Sequence, residues 1–159
     1  MSQPEVDEAA SVGAVRSTLD RLIRTCIDGQ KGFESAAENV SDLNLKRLFE
    51  SYAQQRTEFA AELQQELRRI GEEPTDTGHT SAALHRGVMD LKAAVSGRDE
   101  GTIISECERG EDLAIETYES ALGASLPEEL RSLVERQFLR IREAHDQLRS
   151  LERAHQRHT

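Results

Sequence analysis

Residues 135–148 read ERQFLRIREAHDQL, and their apolar positions repeat at the spacing of one face of a helix. Phe138, Ile141 and Leu148 are separated by three and seven residues, as in an amphipathic helix. His145 falls in the same stripe, where another leucine would be expected. The stretch therefore predicts a helix that carries a polar side chain within its buried face.

The same periodicity predicts three more long helices, over about residues 11–40, 42–70 and 99–122, and extends the helix around His145 from about 126 to 155. Short links join the first pair and the last pair, so each pair should be antiparallel. The middle connection contains SAALHRGVMDLKAAV, residues 81–95, which predicts a shorter helix. We expect an all-α, ferritin-like four-helix bundle with this short extra helix in the crossover between helices two and three. The bundle domain should span residues 11–157, after a flexible N-terminal tail over residues 1–10.

Composition excludes several classes of protein. The 159 residues include 30 acidic and 20 basic side chains, a formal charge of −10, which argues against nucleic acid as a partner. No apolar run approaches the ~20 residues of a membrane span, and the N-terminus is acidic, so we expect a soluble, cytoplasmic protein with no membrane partner. Cys26 and Cys107 lie in apolar helical patterns and should be reduced, buried thiols; their spacing leaves open whether they are close together.

The sequence does not identify a protein partner, although we expect a homo-oligomer. Apolar residues of the short helix remain after the core has been assigned, and they favour a dimer: Leu84, Val88 and Leu91.

Each long helix carries a polar residue near the midpoint of its apolar stripe, at Gln30, Gln55, Glu111 and His145. Side chains at facing core positions must find partners, because an unsatisfied one costs about 1–3 kcal/mol. Three interpretations are open at this point. The residues form a structural hydrogen-bonded network, they form a metal site with altered ligation, or the stripes have been aligned in the wrong register.

Di-metal bundles provide a template for such a layer. Two helices each supply a lone Glu, and the other two each supply Glu-x-x-His. In this chain the lone-Glu positions are Gln30 and Glu111, while the two motifs correspond to residues 55–58 (QRTE) and 142–145 (REAH).

The chain resembles a bacterial family of ferritin-like four-helix-bundle proteins catalogued as a domain of unknown function. The resemblance spans about residues 19–151, through the blocks LIRTCIDGQKGFESAAENV, FAAELQQELRRIGEEP, ALHRGVMDLK, ERGEDLAIETYESAL and LPEELRSLVERQFLRIREAHDQL. It implies the ferritin-like fold and a stress-linked bacterial role, and it brings no established activity.

Departures from the metal template decide the functional interpretation. Only Glu58, Glu111 and His145 remain as strong ligands, too few for two divalent ions, and Arg142 adds a permanent positive charge. We expect Arg142 to replace the metal's charge by pairing with Glu111 or Glu58. The expected polar layer is therefore Gln30, Gln55, Glu58, Glu111, Arg142 and His145.

These residues predict a degenerate di-metal centre in a structural or interaction protein that has no cofactor, and they favour a non-enzymatic role over an enzymatic one. The alternative is a metal-binding oxidoreductase or iron-handling protein. It would hold iron, manganese or zinc through Glu58, Glu111 and His145.

Overall fold

Four long helices form the computed structural model, which describes residues 3–73 and 99–157. They are α1 (Gln3–Asn39), α2 (Leu43–Arg69), α3 (Glu100–Leu122) and α4 (Glu128–Arg157). Within the described residues there is no strand, so the predicted all-α class with four long helices is confirmed. No helix in this part of the chain is both long and apolar enough to cross a membrane.

Buried side chains recur along each helix at alternating intervals of four and three residues. On α2 this stripe consists of Phe49, Ala53, Arg56, Ala60, Leu63 and Leu67. On α4 it consists of Leu130, Val134, Gln137, Ile141, Ala144 and Leu148. An average spacing of about 3.5 residues keeps one narrow face of each helix turned toward its neighbours, as in bundles with nearly aligned helices.

Contacts at the two ends fix the directions of the helices. At one end Arg16 of α1 forms a salt bridge of 2.5 Å with Glu72, just beyond α2. At the other end the backbone amides of Ser41 and Asp42 donate to Oε1 of Glu100 at 3.1 and 3.2 Å, at the start of α3. The chain therefore leaves α2 at one end of the bundle and enters α3 at the opposite end.

The apolar core is divided into two clusters along the bundle. One contains Leu19, Cys26, Leu63 and Val134, among others. The second contains Phe33, Phe49, Ile103, Cys107 and Leu148, among others. Cys26 and Cys107 are both free, buried thiols, and they belong to different clusters.

The structure changes the expectation for the N-terminal tail, and it does not describe the residues of the expected short helix. α1 begins at Gln3 and not near residue 11, so the described part of the expected tail is helical. Pro4 is compatible with this start, since a helix's first turn needs no donor from it, and Ala9 and Ala10 are strong helix formers. The expected short helix over residues 81–95, with Leu84, Val88 and Leu91, lies outside the described residues.

The start of α2 provides a test of the turn between α1 and α2. The Asp42 side chain accepts hydrogen bonds from the amides of Asn44 and Leu45, at 2.8 and 3.1 Å, and so caps the helix. We expect Asp42→Ala to lower the free energy of unfolding by about 1 kcal/mol, while Asp42→Asn, which retains the cap, stays near wild type. Chemical denaturation of the three proteins would measure this, and equal loss in both variants would contradict it.

Candidate functional site

A buried ion pair joins α2 to α3 at the middle of the bundle. Arg56 Nη1 donates to Glu111 Oε1 at 2.7 Å, and Arg56 Nη2 donates to Glu111 Oε2 at 2.5 Å. The side chains are only 1% and 2% exposed. Two parallel bonds between a planar guanidinium and a carboxylate are the strongest arrangement for this pair of groups. Both carboxylate oxygens of Glu111 are therefore engaged inside the protein.

Neighbouring residues of α1 shape the space around the guanidinium. Phe33 presents its ring to Arg56, whose Cζ lies 5.4 Å from the ring centroid. Gly29 faces the same side chain, and a Cβ there would lie 3.2 Å from Arg56 Nη1 and 3.4 Å from its Cγ. The absence of a side chain at Gly29 thus leaves room for Arg56 to extend toward Glu111.

The ion pair lies between the two apolar clusters. On α2 it falls between Ala53 and Phe59 in the sequence, and on α3 between Cys107 and Ala114, each of which belongs to one of the clusters. At the corresponding step of its own stripe, α4 has Ala144, 2% exposed. The polar layer is thus one cation and one anion, accompanied by small residues on α1 and α4.

The electrostatics favour the charged form of Arg56. Burial alone would lower the pKa of Arg56, but the adjacent Glu111 carboxylate raises it, and the net shift is upward. The guanidinium is therefore a fixed charge at any pH at which the protein folds.

The cation of this layer was predicted to be Arg142, and that prediction is wrong. Arg142 is exposed, with its Cζ 5.8 Å from the centroid of the Phe138 ring. It lies on the outer side of α4, two residues before Ala144, which corresponds to a rotation of about 200° around the helix. Arg56 carries the charge instead.

The predicted glutamines and Glu58 also lie outside the buried pair. Gln30 is half-buried and donates to Glu34 at 3.0 Å. Gln55 is half-buried and accepts from Arg56 Nε at 3.4 Å, while Glu58 is exposed and accepts from Gln54 at 3.2 Å. Of the six predicted residues, only Glu111 is fully buried.

His145 lies in the groove between α3 and α4, with its side chain 13% exposed. Its Nε2 is 2.7 Å from Asp112 Oδ1 and 3.8 Å from Glu108 Oε1. The nearest carboxylates to Nε2 are therefore on α3, at Asp112 and Glu108. The hydrogen bond of this ring is between Nδ1 and Asp146 Oδ1, at 3.4 Å, at the edge of the core.

The alternative ligand set does not converge on one point. Glu58 is exposed on α2, Glu111 is bound by Arg56, and His145 faces Asp112. Across residues 3–73 and 99–157, no group of three or more His, Cys, Asp or Glu side chains is arranged to hold a metal ion. The arrangement therefore does not fit the metal that the di-metal template implies.

A second polar system connects all four helices near the ion pair. Tyr118 of α3 donates its hydroxyl proton to Gln137 Oε1 of α4 at 2.7 Å, and Cys26 Sγ of α1 lies 3.1 Å from the same hydroxyl. Gln137 Nε2 donates to the backbone oxygen of Phe59 at 3.3 Å and to Glu62 Oε1 at 3.1 Å, both on α2. Since the Tyr118 proton is committed to Gln137, the Cys26 thiol acts as the donor to Tyr118.

Burial keeps this chain of groups protonated. It raises the pKa of the Cys26 thiol from 9.0 to about 11, and it raises the pKa of Tyr118 well above its usual value. Burial also raises the pKa of the Cys107 thiol. Neither cysteine is therefore a reactive thiolate near neutral pH.

A groove of about 240 Å³ opens between α1 and α3 and reaches the ion pair. Its floor includes Arg56, Glu111 and Phe33. Glycines from both helices line its walls at Gly29, Gly32 and Gly110. The groove connects the buried charges to the surface.

Comparison with known proteins identifies a family. A family model described as "Domain of unknown function (DUF2383)" matches residues 14–124. The match covers most of α1, all of α2 and all of α3, and with them both members of the ion pair. No curated protein matches the chain significantly.

The ion pair generates the first test of the site. Arg56→Met should lower the free energy of unfolding by about 3–5 kcal/mol, because it leaves Glu111 buried without its partner. The double variant Arg56→Met/Glu111→Leu should regain most of that loss. Arg140→Met is the matched control, since Arg140 pairs with Glu143 at 3.1 Å in an exposed i, i+3 pair, and it should cost less than about 1 kcal/mol. The free energy of unfolding would be measured by chemical denaturation. A decrease in Arg56→Met no larger than that in Arg140→Met would contradict the prediction.

The raised pKa of Cys26 predicts a loss of stability in alkali. The unfolded chain releases the thiol proton near pH 9.0, and the folded protein releases it only near pH 11. The contribution of the protonated thiol to the free energy of unfolding is therefore complete below pH 9 and is lost as the pH rises toward 11. Cys26→Ser keeps a donor for Tyr118 but does not titrate in this range. Between pH 9 and 11 the wild type should lose up to about 3 kcal/mol more than this variant. The contribution of Cys107 cancels in the comparison, and parallel stability curves would refute the assignment.

Proposed function

The chain belongs to the family of the domain of unknown function DUF2383, and we propose that it is a non-catalytic, ferritin-like bundle in which Arg56 takes the place of a metal. In this proposal it acts as a structural or interaction protein of the bacterial cytoplasm, as a homo-oligomer, in a stress-linked role. The observation that carries the proposal is the bidentate, fully buried pair of Arg56 and Glu111.

The charge balance supports this proposal. A divalent ion in a bundle core requires carboxylates with free oxygens, and hard cations require several of them. Glu111 is the only buried carboxylate among the described residues, and the guanidinium binds both of its oxygens. The layer is electrically balanced without any external cation.

The path of the chain supports the ferritin-like part of the proposal. α1 and α2 are joined by a tight turn and lie antiparallel, as do α3 and α4. The chain leaves α2 at one end of the bundle and enters α3 at the other. One long crossover between two antiparallel helix pairs is the connectivity of ferritin-like bundles.

Metal measurements test the proposal directly. The purified protein should contain far less than one equivalent of iron, manganese or zinc, and added manganous or zinc ions should leave its melting temperature unchanged. Ligands that bind the folded state raise the melting temperature by mass action, so a stable site would be visible. Near-stoichiometric metal that is lost in Glu111→Gln would overturn the proposal and favour the metal-binding alternative.

Chemical rescue tests whether the guanidinium is the required cation. Arg56→Ala removes the charge and leaves space that is connected to the groove between α1 and α3. Low millimolar guanidinium ion should raise the melting temperature of Arg56→Ala, while urea, its neutral analogue of similar shape, should not. The wild type is the control, because its site is filled. Rescue of Arg56→Ala by manganous ions but not by guanidinium would argue that the site retains the chemistry of a metal centre.

A further inference from the structure

Two carboxyl groups face each other across the seam between α3 and α4. Glu108 of α3 and Glu152 of α4 lie within hydrogen-bonding distance of each other. Ser105 Oγ donates to Glu152 Oε2 at 3.0 Å and holds that carboxylate against α3. The Glu108 side chain is only 16% exposed, so bulk water screens it only in part. Because ionised carboxylates are acceptors only, the hydrogen bond between the two groups requires a proton on one of them.

The charges around the pair determine which carboxyl group keeps the proton. Other charged or titratable side chains that act on the pair are Arg149, Arg153 and His145 of α4, and Asp112 of α3. The two arginines favour the ionised form of Glu152. At Glu108 the negative charge of Asp112 and a positive charge on His145 act in opposite directions. Glu152 is therefore the ionised member of the pair, and Glu108 is the protonated member.

The shared proton moves the two pKa values apart. The hydrogen bond with Glu152 raises the pKa of Glu108, and burial raises it further. The hydrogen bond from Glu108 lowers the pKa of Glu152, and the hydrogen bond from Ser105 acts in the same direction. In the unfolded chain both groups titrate near pH 4.5.

These directions fix the sign of the pH dependence. The proton on Glu108 stabilises the folded protein fully below pH 4.5, and this contribution is lost as the pH rises through the raised pKa. The charge on Glu152 stabilises the folded protein above pH 4.5, and its contribution is lost as the pH falls through the lowered pKa. The link between α3 and α4 is therefore strongest in mild acid. At higher pH two carboxylates repel each other at the same place.

The seam borders the second apolar cluster. Ile104 and Cys107 on α3 and Leu148 and Leu151 on α4 belong to that cluster or pack against it. Arg56 keeps its charge over the whole pH range and holds the centre of the bundle together. A change at the carboxyl pair therefore acts locally, on the last turns of α4 and the first turns of α3.

We propose that Glu108 and Glu152 form a pH-sensitive latch between α3 and α4. The proton that they share closes the latch in mild acid, and loss of this proton weakens it as the pH rises. Weakening of the latch increases local opening of the C-terminal turns of α4 and exposes the apolar surface at the seam. The latch does not depend on the function proposed above, because it involves neither Arg56 nor a metal.

Hydrogen exchange of the full-length protein between pH 4.5 and 8 tests the latch. In Glu108→Gln the side-chain amide donates to Glu152 at every pH and does not titrate. Amides of residues 146–157 have the same sequence in both proteins, so their intrinsic exchange rates cancel in a ratio. The wild-type rate divided by the variant rate should rise with pH by at least about threefold. Glu152→Gln places the permanent donor on the other helix, and the same rise is expected for amides of residues 101–110.

Two further variants separate the carboxyl pair from other charges. Glu116→Gln is the matched control, because Glu116 is an exposed glutamate of the same helix, and it should exchange like the wild type at every pH. His145→Gln removes the nearby imidazole and should still show faster exchange than Glu108→Gln as the pH rises. Rate ratios that stay constant with pH for both Glu108→Gln and Glu152→Gln would overturn the proposal. Loss of the rise in His145→Gln would overturn it as well, since histidine would then be the titrating group.

Discussion

The bidentate bond between Arg56 and Glu111 is the constraint around which the core is arranged. A charge removed from water costs several kcal/mol, and this cost is recovered only with good geometry and a partner that stays in place. α2 and α3 run parallel and must hold their axial positions to within a fraction of a residue to keep both bonds of 2.7 and 2.5 Å. We infer that the pair contributes more to the register of the bundle than to its net stability, because a well-packed apolar pair could stabilise as much.

The small residues of the same layer follow from this constraint. Arg56 has the largest of the fully buried side chains, and it occupies a stripe position that elsewhere holds Ala, Leu or Phe. Space for it comes from Gly29 on α1, while α4 contributes only Ala144 at its corresponding stripe position. The two apolar clusters on either side can then pack at normal density around a charged layer between them.

Periodicity predicts the helices well and the polar layer only in part. The predicted ends of the second and third long helices lie within one residue of the ends of α2 and α3.

The polar layer was predicted at the correct position along the bundle axis, but Gln30, Gln55 and His145 are each one residue from Gly29, Arg56 and Ala144. One residue rotates a side chain by about 100°, which is enough to turn it from the core to the helix edge. The arginine of the layer was expected on the last helix, at Arg142, although the alternating four and three spacing from Phe49 to Leu67 includes Arg56. Gln137 was missed for the same reason. The partners of Arg56 and Gln137 are Glu111 and Tyr118, which lie 55 and 19 residues away in the sequence. These partners are on other helices, and the sequence does not specify the register between helices.

A guanidinium and a metal ion would give such a bundle different physical properties. A metal site is filled or empty according to supply, and folding then depends on the free ion concentration. An arginine is covalently part of the chain, carries its charge at every relevant pH, and cannot be reduced, oxidised or chelated. The neutral hydrogen bonds from Cys26 through Tyr118 to Gln137 add a second link among the helices that needs no ion. A core built in this way holds its register under conditions that would strip a metal centre.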